Sequence, residues 1–167
     1  MNKELKKQNK KMGNNEQEFT NLIRRQRSTI YTVCYMFSDN QEDVNDLFQE
    51  VLLKLWLGWE KFRGDSDERT WVYRVALNTC ISIDRSKKSK KHQQIIEGVN
   101  LFDESDTKNH QTKLLHNRIV KLQPFDRAIV LLWLENLSYD EIGAIVGISA
   151  KNVSVRLVRI REQLKKL

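Results

Sequence analysis

Apolar residues recur along this chain every three to four positions, the period of helices that bury one side. Phe19, Leu22, Ile23, Ile30, Val33 and Phe37 share that spacing and predict a first helix over about 16–37. A second is expected after Asp39 and Asn40, side chains suited to cap a first turn, and runs to about Glu60 with Val44, Phe48, Val51, Leu52, Leu55 and Trp59 as its core face. The stretch 62–66 (FRGDS) is a break. A third helix follows from about Asp67 to Arg85, with Ser66 as its N-cap and Val72, Val75, Ala76, Thr79 and Ile83 as its core stripe. The pattern lapses over 86–112, which is polar and charged, and resumes near Leu114 with about four more helices. Strand-like alternation is absent, and the chain has one proline and six glycines. The fold class expected is all-α, two small helical domains joined by a flexible linker. Residues 1–13 would be a disordered basic tail, 14–86 the first domain, 87–112 the linker and 113–167 the second domain.

The sharpest local signal lies near the C-terminus. Ser138 and Glu141 have the spacing of a capping box, which marks a helix start. Ile142, Ile145 and Val146 give that helix a core face, Gly147 sits where a tight turn needs positive φ, and Ser149 can cap the next helix. The product is a helix-turn-helix. On the second helix Val153, Leu157, Ile160 and Leu164 form one apolar stripe. The other side presents Lys151, Asn152, Val155 and Arg159, flanked by Ser154 and Arg156. Arg and Asn are the side chains that bond base edges in two places at once, and Val can touch a thymine methyl. A solvated helix can carry the same charges. A helix-turn-helix alone says only that the chain binds DNA.

Charge then separates two kinds of partner. Lys and Arg number 29 against 22 Asp and Glu, a net charge of +7. Basic residues cluster at 3–11, 85–91 and 151–166, acidic ones at 39–50. On the second helix Asp46, Gln49 and Glu50 share a face with Leu53 and Leu57. Acids beside leucines are poor for DNA and suit a protein interface, although both leucines could instead pack on a neighbouring helix. On the third helix Trp71, Arg74, Asn78 and Arg85 line one side, cations with an aromatic available for base stacking. The preceding loop, Arg63, Gly64, Asp65 and Ser66, offers small and polar groups able to hold an extruded base. A core tryptophan among ordinary surface charges fits that pattern equally well.

Other chemistry finds little support. The acids Asp39, Glu42, Asp43, Asp46 and Glu50 lack the companion motif of a metal-dependent nuclease, and there is no P-loop, triad or zinc spacing. No enzyme activity, metal or cofactor is expected. Cys34 and Cys80 are read as packed thiols, and His92, His110 and His116 as solvated linker residues. No apolar run reaches the ~20 residues of a spanning helix, and Met1–Lys11 lacks the apolar stretch of a secretory signal, so a cytoplasmic protein without membrane insertion is expected.

Three segments together resemble one family. Residues 43–56 (DVNDLFQEVLLKLW) resemble region 2.2 of the extracytoplasmic-function (ECF) sigma factors of bacterial RNA polymerase. Residues 62–65 (FRGD) and 70–79 (TWVYRVALNT) resemble their regions 2.3 and 2.4, and 122–127 (LQPFDR) through the helix-turn-helix resembles region 4. The likeness covers about 16–85 and 114–166, and segments matching region 1.1 or the large region 3 domain are not seen. It implies a sigma factor that binds core RNA polymerase and initiates transcription. Asp46, Gln49, Glu50, Leu53 and Leu57 would meet the β′ clamp helices. Arg63 to Ser66 would hold a flipped base of a melted −10 element, with Trp71, Arg74, Asn78 and Arg85 on the strand. Lys151, Asn152, Ser154, Val155, Arg156 and Arg159 would read the −35 element, with region 4 also on the β flap and the linker near the RNA exit path. Promoter DNA and an anti-sigma factor would be the further partners. Asn152, where the family often has Thr, and Val155, where a polar residue is frequent, depart from the pattern and bear on base preference.

Overall fold

The computed structural model of the chain describes residues 2–62, 64–91 and 107–167, and all regular structure among them is helical. The helices are α1 (Asn2–Met36), α2 (Gln41–Trp59), α3 (Glu68–Lys91), α4 (Thr107–Ile119), α5 (Pro124–Leu134), α6 (Tyr139–Val146) and α7 (Ala150–Lys166). α1, α2 and α3 form a bundle around Leu22, Ile30, Val33, Val44, Val51, Leu55, Val72 and Ala76, all nearly or fully buried. The second domain closes over Ile119, Leu122, Ile129, Leu132, Ile142, Val153 and Ile160. The two domains also touch each other, α3 against α5 and α6, and the end of α1 against α5.

The caps explain where the helices start. Asn40 accepts from the Asp43 amide at 2.9 Å and begins α2. α3 is capped one residue later than its sequence suggests. Asp67, not Ser66, accepts from the amides of Arg69 (3.0 Å) and Thr70 (3.4 Å), and its carbonyl takes the first helical bond from Trp71. A carboxylate there also complements the positive end of the helix dipole. α1 and α3 both outrun the apolar pattern, α1 back to Asn2 and α3 on to Lys91. The residues there are mostly Lys, Asn, Gln, Glu and Ser without proline, a composition compatible with continuing a helix already begun.

Two residues sit where their sequence setting gives no warning. His116 is buried at 7% exposure, its Nε2 3.1 Å from the Tyr35 carbonyl and its ring 4.5 Å from the Tyr35 ring. It is an interdomain contact and not a solvated linker residue; His92 lies outside the described residues. Arg127 on α5 is 4% exposed, and its Nη2 donates to the carbonyls of Val120 (2.5 Å) and Leu122 (3.2 Å). These tie the start of α5 to the turn before it. Cys34 and Cys80 are both buried thiols. The neighbouring Cys34 and burial both push the Cys80 thiol up, so it stays protonated and unreactive at neutral pH.

Candidate nucleic-acid and protein interfaces

The helix-turn-helix is assembled by its caps and two glycines. Ser138 accepts from the Glu141 amide while the Glu141 carboxylate accepts from the Ser138 amide, at 3.2 and 2.7 Å. The Ser138 contact holds the Glu141 carboxyl below its ordinary range. Ser138→Ala is expected to cost about 1 kcal/mol of second-domain stability, read by denaturant unfolding; an unchanged midpoint would show that the cap is idle. Gly147 ends α6 at φ 81°, and its amide and that of Ile148 both donate to the Gly143 carbonyl (2.8 and 3.1 Å). Gly143 itself faces the Ile148 carbonyl so closely that an added Cβ would collide with backbone. Ser149 then caps α7 by accepting from the Asn152 amide at 3.2 Å.

On α7, Val153, Leu157 and Ile160 are buried and Leu164 half-buried, as the stripe predicts. Lys151, Asn152, Val155, Arg156 and Arg159 are exposed, and Ser154 is half-buried. Arg156 has a structural tie: it meets Asp126 at 2.5 Å and lies over the Phe125 ring at 4.8 Å, bracing α7 against α5. The exposed side of α7 opposite its apolar stripe is therefore Lys151, Asn152, Val155 and Arg159, with Arg156 on its margin.

Between α2 and α3 a cleft of about 310 Å³ is lined by Gly58, Lys61, Phe62, Asp65, Ser66 and Trp71. Trp71 stacks on Phe62 with centroids 4.7 Å apart and an interplanar angle of 29°. Gly58 lets the indole lie against α2, because a Cβ there would stand 3.2 Å from the Trp71 ring. Gly64 shapes the loop with φ 74°, a conformation that favours glycine. Asp65, Ser66 and Trp71 thus come together at one cleft, while Arg63 lies outside the described residues. Arg74 and Asn78 continue the Trp71 face along α3, at one and two turns. Asn78 and Arg85 are exposed. Arg85 stands about 21 Å from Trp71 along the helix, at 1.5 Å per residue, so it lies well away from the cleft. Gly58 and Lys61 carry no helical-period signal, and only their nearness to the loop could have marked them, whereas Phe62 entered as the first residue of the 62–66 break. Arg74 is engaged: its Nε and Nη2 both donate to the Ala144 carbonyl of α6, at 3.1 and 2.6 Å.

On α2 the open question resolves towards solvent. Leu53 and Leu57 are 49% and 61% exposed, and Trp56 beside them is 39% exposed. Asp46 and Gln49 are exposed on the same side, and half-buried Glu50 pairs with Lys54 at 3.4 Å. Trp56, which the core-versus-surface pattern did not single out, meets the Phe19 ring edge-on at 5.0 Å. Among the described residues no group of three His, Cys, Asp or Glu could hold a metal ion, and no helix is long and apolar enough to cross a membrane.

Comparison with known proteins follows the same division. Residues 22–90 match the family model of sigma-70 region 2, and residues 112–164 that of sigma-70 region 4. The chain is 27% identical to the ECF RNA polymerase sigma factor SigW of Bacillus subtilis, over 97% of this chain and 95% of SigW. It is 28% identical to the RNA polymerase sigma factor YlaC of the same organism, over 87% and 88% of the two chains. The fold resembles that of CnrH in complex with the cytosolic domain of CnrY (TM-score 0.67, 21% identity, 90% and 87% covered). It resembles equally that of RpoE in complex with the anti-sigma factor NepR from Bartonella quintana (TM-score 0.67, 19% identity, 90% and 94% covered). With one region on the three-helix bundle and the other on the helix-turn-helix, the chain belongs to the ECF sigma factors, non-enzymatic subunits of RNA polymerase that direct transcription initiation.

Proposed function

We propose that the first domain, over about 14–86, captures and holds the opened −10 strand while the second, over about 113–167, reads the −35 duplex. The observation that carries this is the cleft beneath Trp71 and Phe62, set at the head of the Trp71–Arg74–Asn78 face. Its aromatic walls suit an unstacked base, Lys61, Asp65 and Ser66 offer polar groups to a base edge, and the face beyond suits a strand. Holding a base outside the stack offsets part of the cost of unpairing it, which favours melting. α7 would enter the major groove with Lys151, Asn152, Val155 and Arg159 towards base edges, and Ser154 and Arg156 towards the backbone. The α2 face of Asp46, Gln49, Glu50, Leu53 and Leu57 would seat on the β′ clamp helices, and the second domain on the β flap.

The site of action is the cytoplasm, and an anti-sigma factor is the natural regulator, since RpoE is seen in complex with the anti-sigma factor NepR and CnrH with the cytosolic domain of CnrY. Each DNA contact alone is weak, and core polymerase holds both at once, which raises the effective concentration of the second. The test is transcription in vitro with purified core polymerase and genomic promoters. Trp71→Ala should lower open-complex formation by a factor matching the loss of about 1–3 kcal/mol of base stacking. Arg159→Ala should weaken dependence on the −35 sequence by a similar amount. Normal transcription by both variants would overturn these residue assignments.

A further inference from the structure

We propose that the first turns of α1 form a basic arm that grips the phosphates of the opened promoter strand beyond the Trp71 cleft. This use of α1 rests on the proposed capture of the −10 strand by that cleft, and extends it to the nucleotides on one flank. Residues 2–12 contain five lysines, Lys3, Lys6, Lys7, Lys10 and Lys11, against one acid, Glu4. They belong to α1 and are helical, not a loose tail. At about 100° per residue the five positions fall on one side of the helix, within roughly 140°. That side is opposite the one on which Phe19 and Ile30 pack into the bundle.

Contacts along the bundle fix where this segment leads. Phe19 meets Trp56 and Trp59 near the end of α2, with ring centroids 5.0 and 5.9 Å apart. Arg27 lies over Phe48 in the middle of α2, and the Tyr31 hydroxyl donates to Gln41 at its start. α1 and α2 are therefore antiparallel. Arg25 and Gln26 donate to Glu68, the first residue of α3, and Cys34 meets Cys80 further along. α1 and α3 therefore run the same way. The part of α1 before Phe19 thus extends past the end of α2 and the start of α3, the end of the bundle that holds the cleft. Among the described side chains, the packed apolar residues of α1 begin at Phe19, and a Cβ at Gly13 would meet nothing within 4 Å. At about 1.5 Å per residue the lysine positions stand roughly 12–24 Å beyond Phe19.

A strand that lies along Asn78, Arg74 and Trp71 and leaves a base in the cleft continues, on one flank, past this end of the bundle. The lysine run lies in that direction. It covers about 12 Å of helix, room for about three phosphates at the ~3.4 Å spacing of one strand. Glu16 and Glu18 stand between the run and Phe19. The first contact is therefore expected about four nucleotides out from the cleft, at the same spacing, and not beside it. Lysine is a point charge on a flexible stem, so the grip would be on phosphate and blind to base sequence. A lipid surface is a poorer match, because Leu5 and Met12 are the only apolar residues within 2–15.

The test is binding of holoenzyme, made with purified core polymerase, to two forked promoter fragments. In one the opened strand continues well past the −10 element; in the other it is cut at the element's end. Changing Lys3, Lys6, Lys7, Lys10 and Lys11 together to Gln removes the charge and nearly keeps helix propensity. This variant should bind the long fragment up to about fiftyfold more weakly at about 0.15 M salt. Its slope of log K against log salt should be shallower by about 2, the counterion release of about three phosphates at ~0.7 each. On the cut fragment variant and wild type should bind alike, and Arg at the same five positions should restore binding to the long one. Equal affinity of variant and wild type for the long fragment, or an equal loss on both fragments, would overturn the proposal. So would weaker assembly with core in the absence of DNA, which would make the arm a polymerase contact, or lysine-dependent binding to phosphatidylglycerol vesicles with no effect on the long fragment. Failure of the cleft reading is recognised separately, by Trp71→Ala holoenzyme that melts promoters normally.

Discussion

Replacing Leu53 and Leu57 by aspartate should abolish association with core RNA polymerase and leave the fold intact. Both side chains are about half exposed or more and contribute little to the bundle, so unfolding should shift by no more than about 0.5 kcal/mol per site. At a protein interface the same leucines would leave water, worth up to about 1.5–3 kcal/mol each, and an aspartate there would add the cost of burying an unpaired charge. The combined loss exceeds about 3 kcal/mol, more than a hundredfold in affinity. Asp46→Ala with Glu50→Ala should act more weakly and mostly on the association rate, because rim charges are screened and partly solvated. Glu50 has in addition a local partner in Lys54. Binding to purified core, measured beside thermal unfolding of the free chain, separates the outcomes. A stable Leu53→Asp, Leu57→Asp protein that still bound core at wild-type affinity would remove α2 from the interface.

Gly143→Ala should unfold the second domain or leave it unable to bind −35 DNA, although the change is a single methyl. The added carbon meets the Ile148 carbonyl inside hard-sphere contact, and that carbonyl belongs to the turn that sets α7 against α6. The neighbour is backbone, not the tip of a flexible side chain, so it yields only by moving the turn. Overpacking of this kind costs about 1–3 kcal/mol and occasionally more. The Gly143 carbonyl also accepts both the Gly147 and Ile148 amides, which would be strained together. The first domain should keep its helical signal and its affinity for core. Ala at Gly13, where a Cβ has no neighbour within 4 Å, is the matched control with no expected loss. A folded Gly143→Ala protein with normal −35 recognition would show that α6 and α7 can separate further than this packing allows.

Much of this architecture is written in local pattern. The α2 cap at Asn40, the capping box at Ser138, the turn at Gly147 and the buried stripe of α7 all follow from residues within one or two turns of each other. A helix period states which side of its own axis each side chain points to, and capping chemistry states where the axis begins. That is enough for an all-helical protein with a helix-turn-helix at its C-terminal end. It also misplaced one cap, at Ser66, because Asp67 stands next to it and only the backbone path decides which of the two faces the free amides.

What the period leaves open is which neighbour covers each face, and that depends on residues far apart in the chain. Leu53 and Leu57 could equally have been core, and the packing of α1 and α3 on the opposite side of α2 left them in water. Tyr73, Leu77 and Cys80 lie outside the single stripe expected for α3, yet they are buried; Tyr73 and Cys80 meet Thr29 and Cys34 of α1, so the covered side of α3 is wider than one stripe. The Trp71 cleft needs Gly58 and Phe62 from the end of α2, and Arg127 and His116 look like ordinary polar residues until α1 and α3 close around them. The helices, all but one of the caps named and the exposed face of α7 were thus determined by the sequence alone, through contacts within a few residues. The cleft, the exposed leucines and the domain contact were decided by tertiary structure, through burial summed over segments that no local spacing relates.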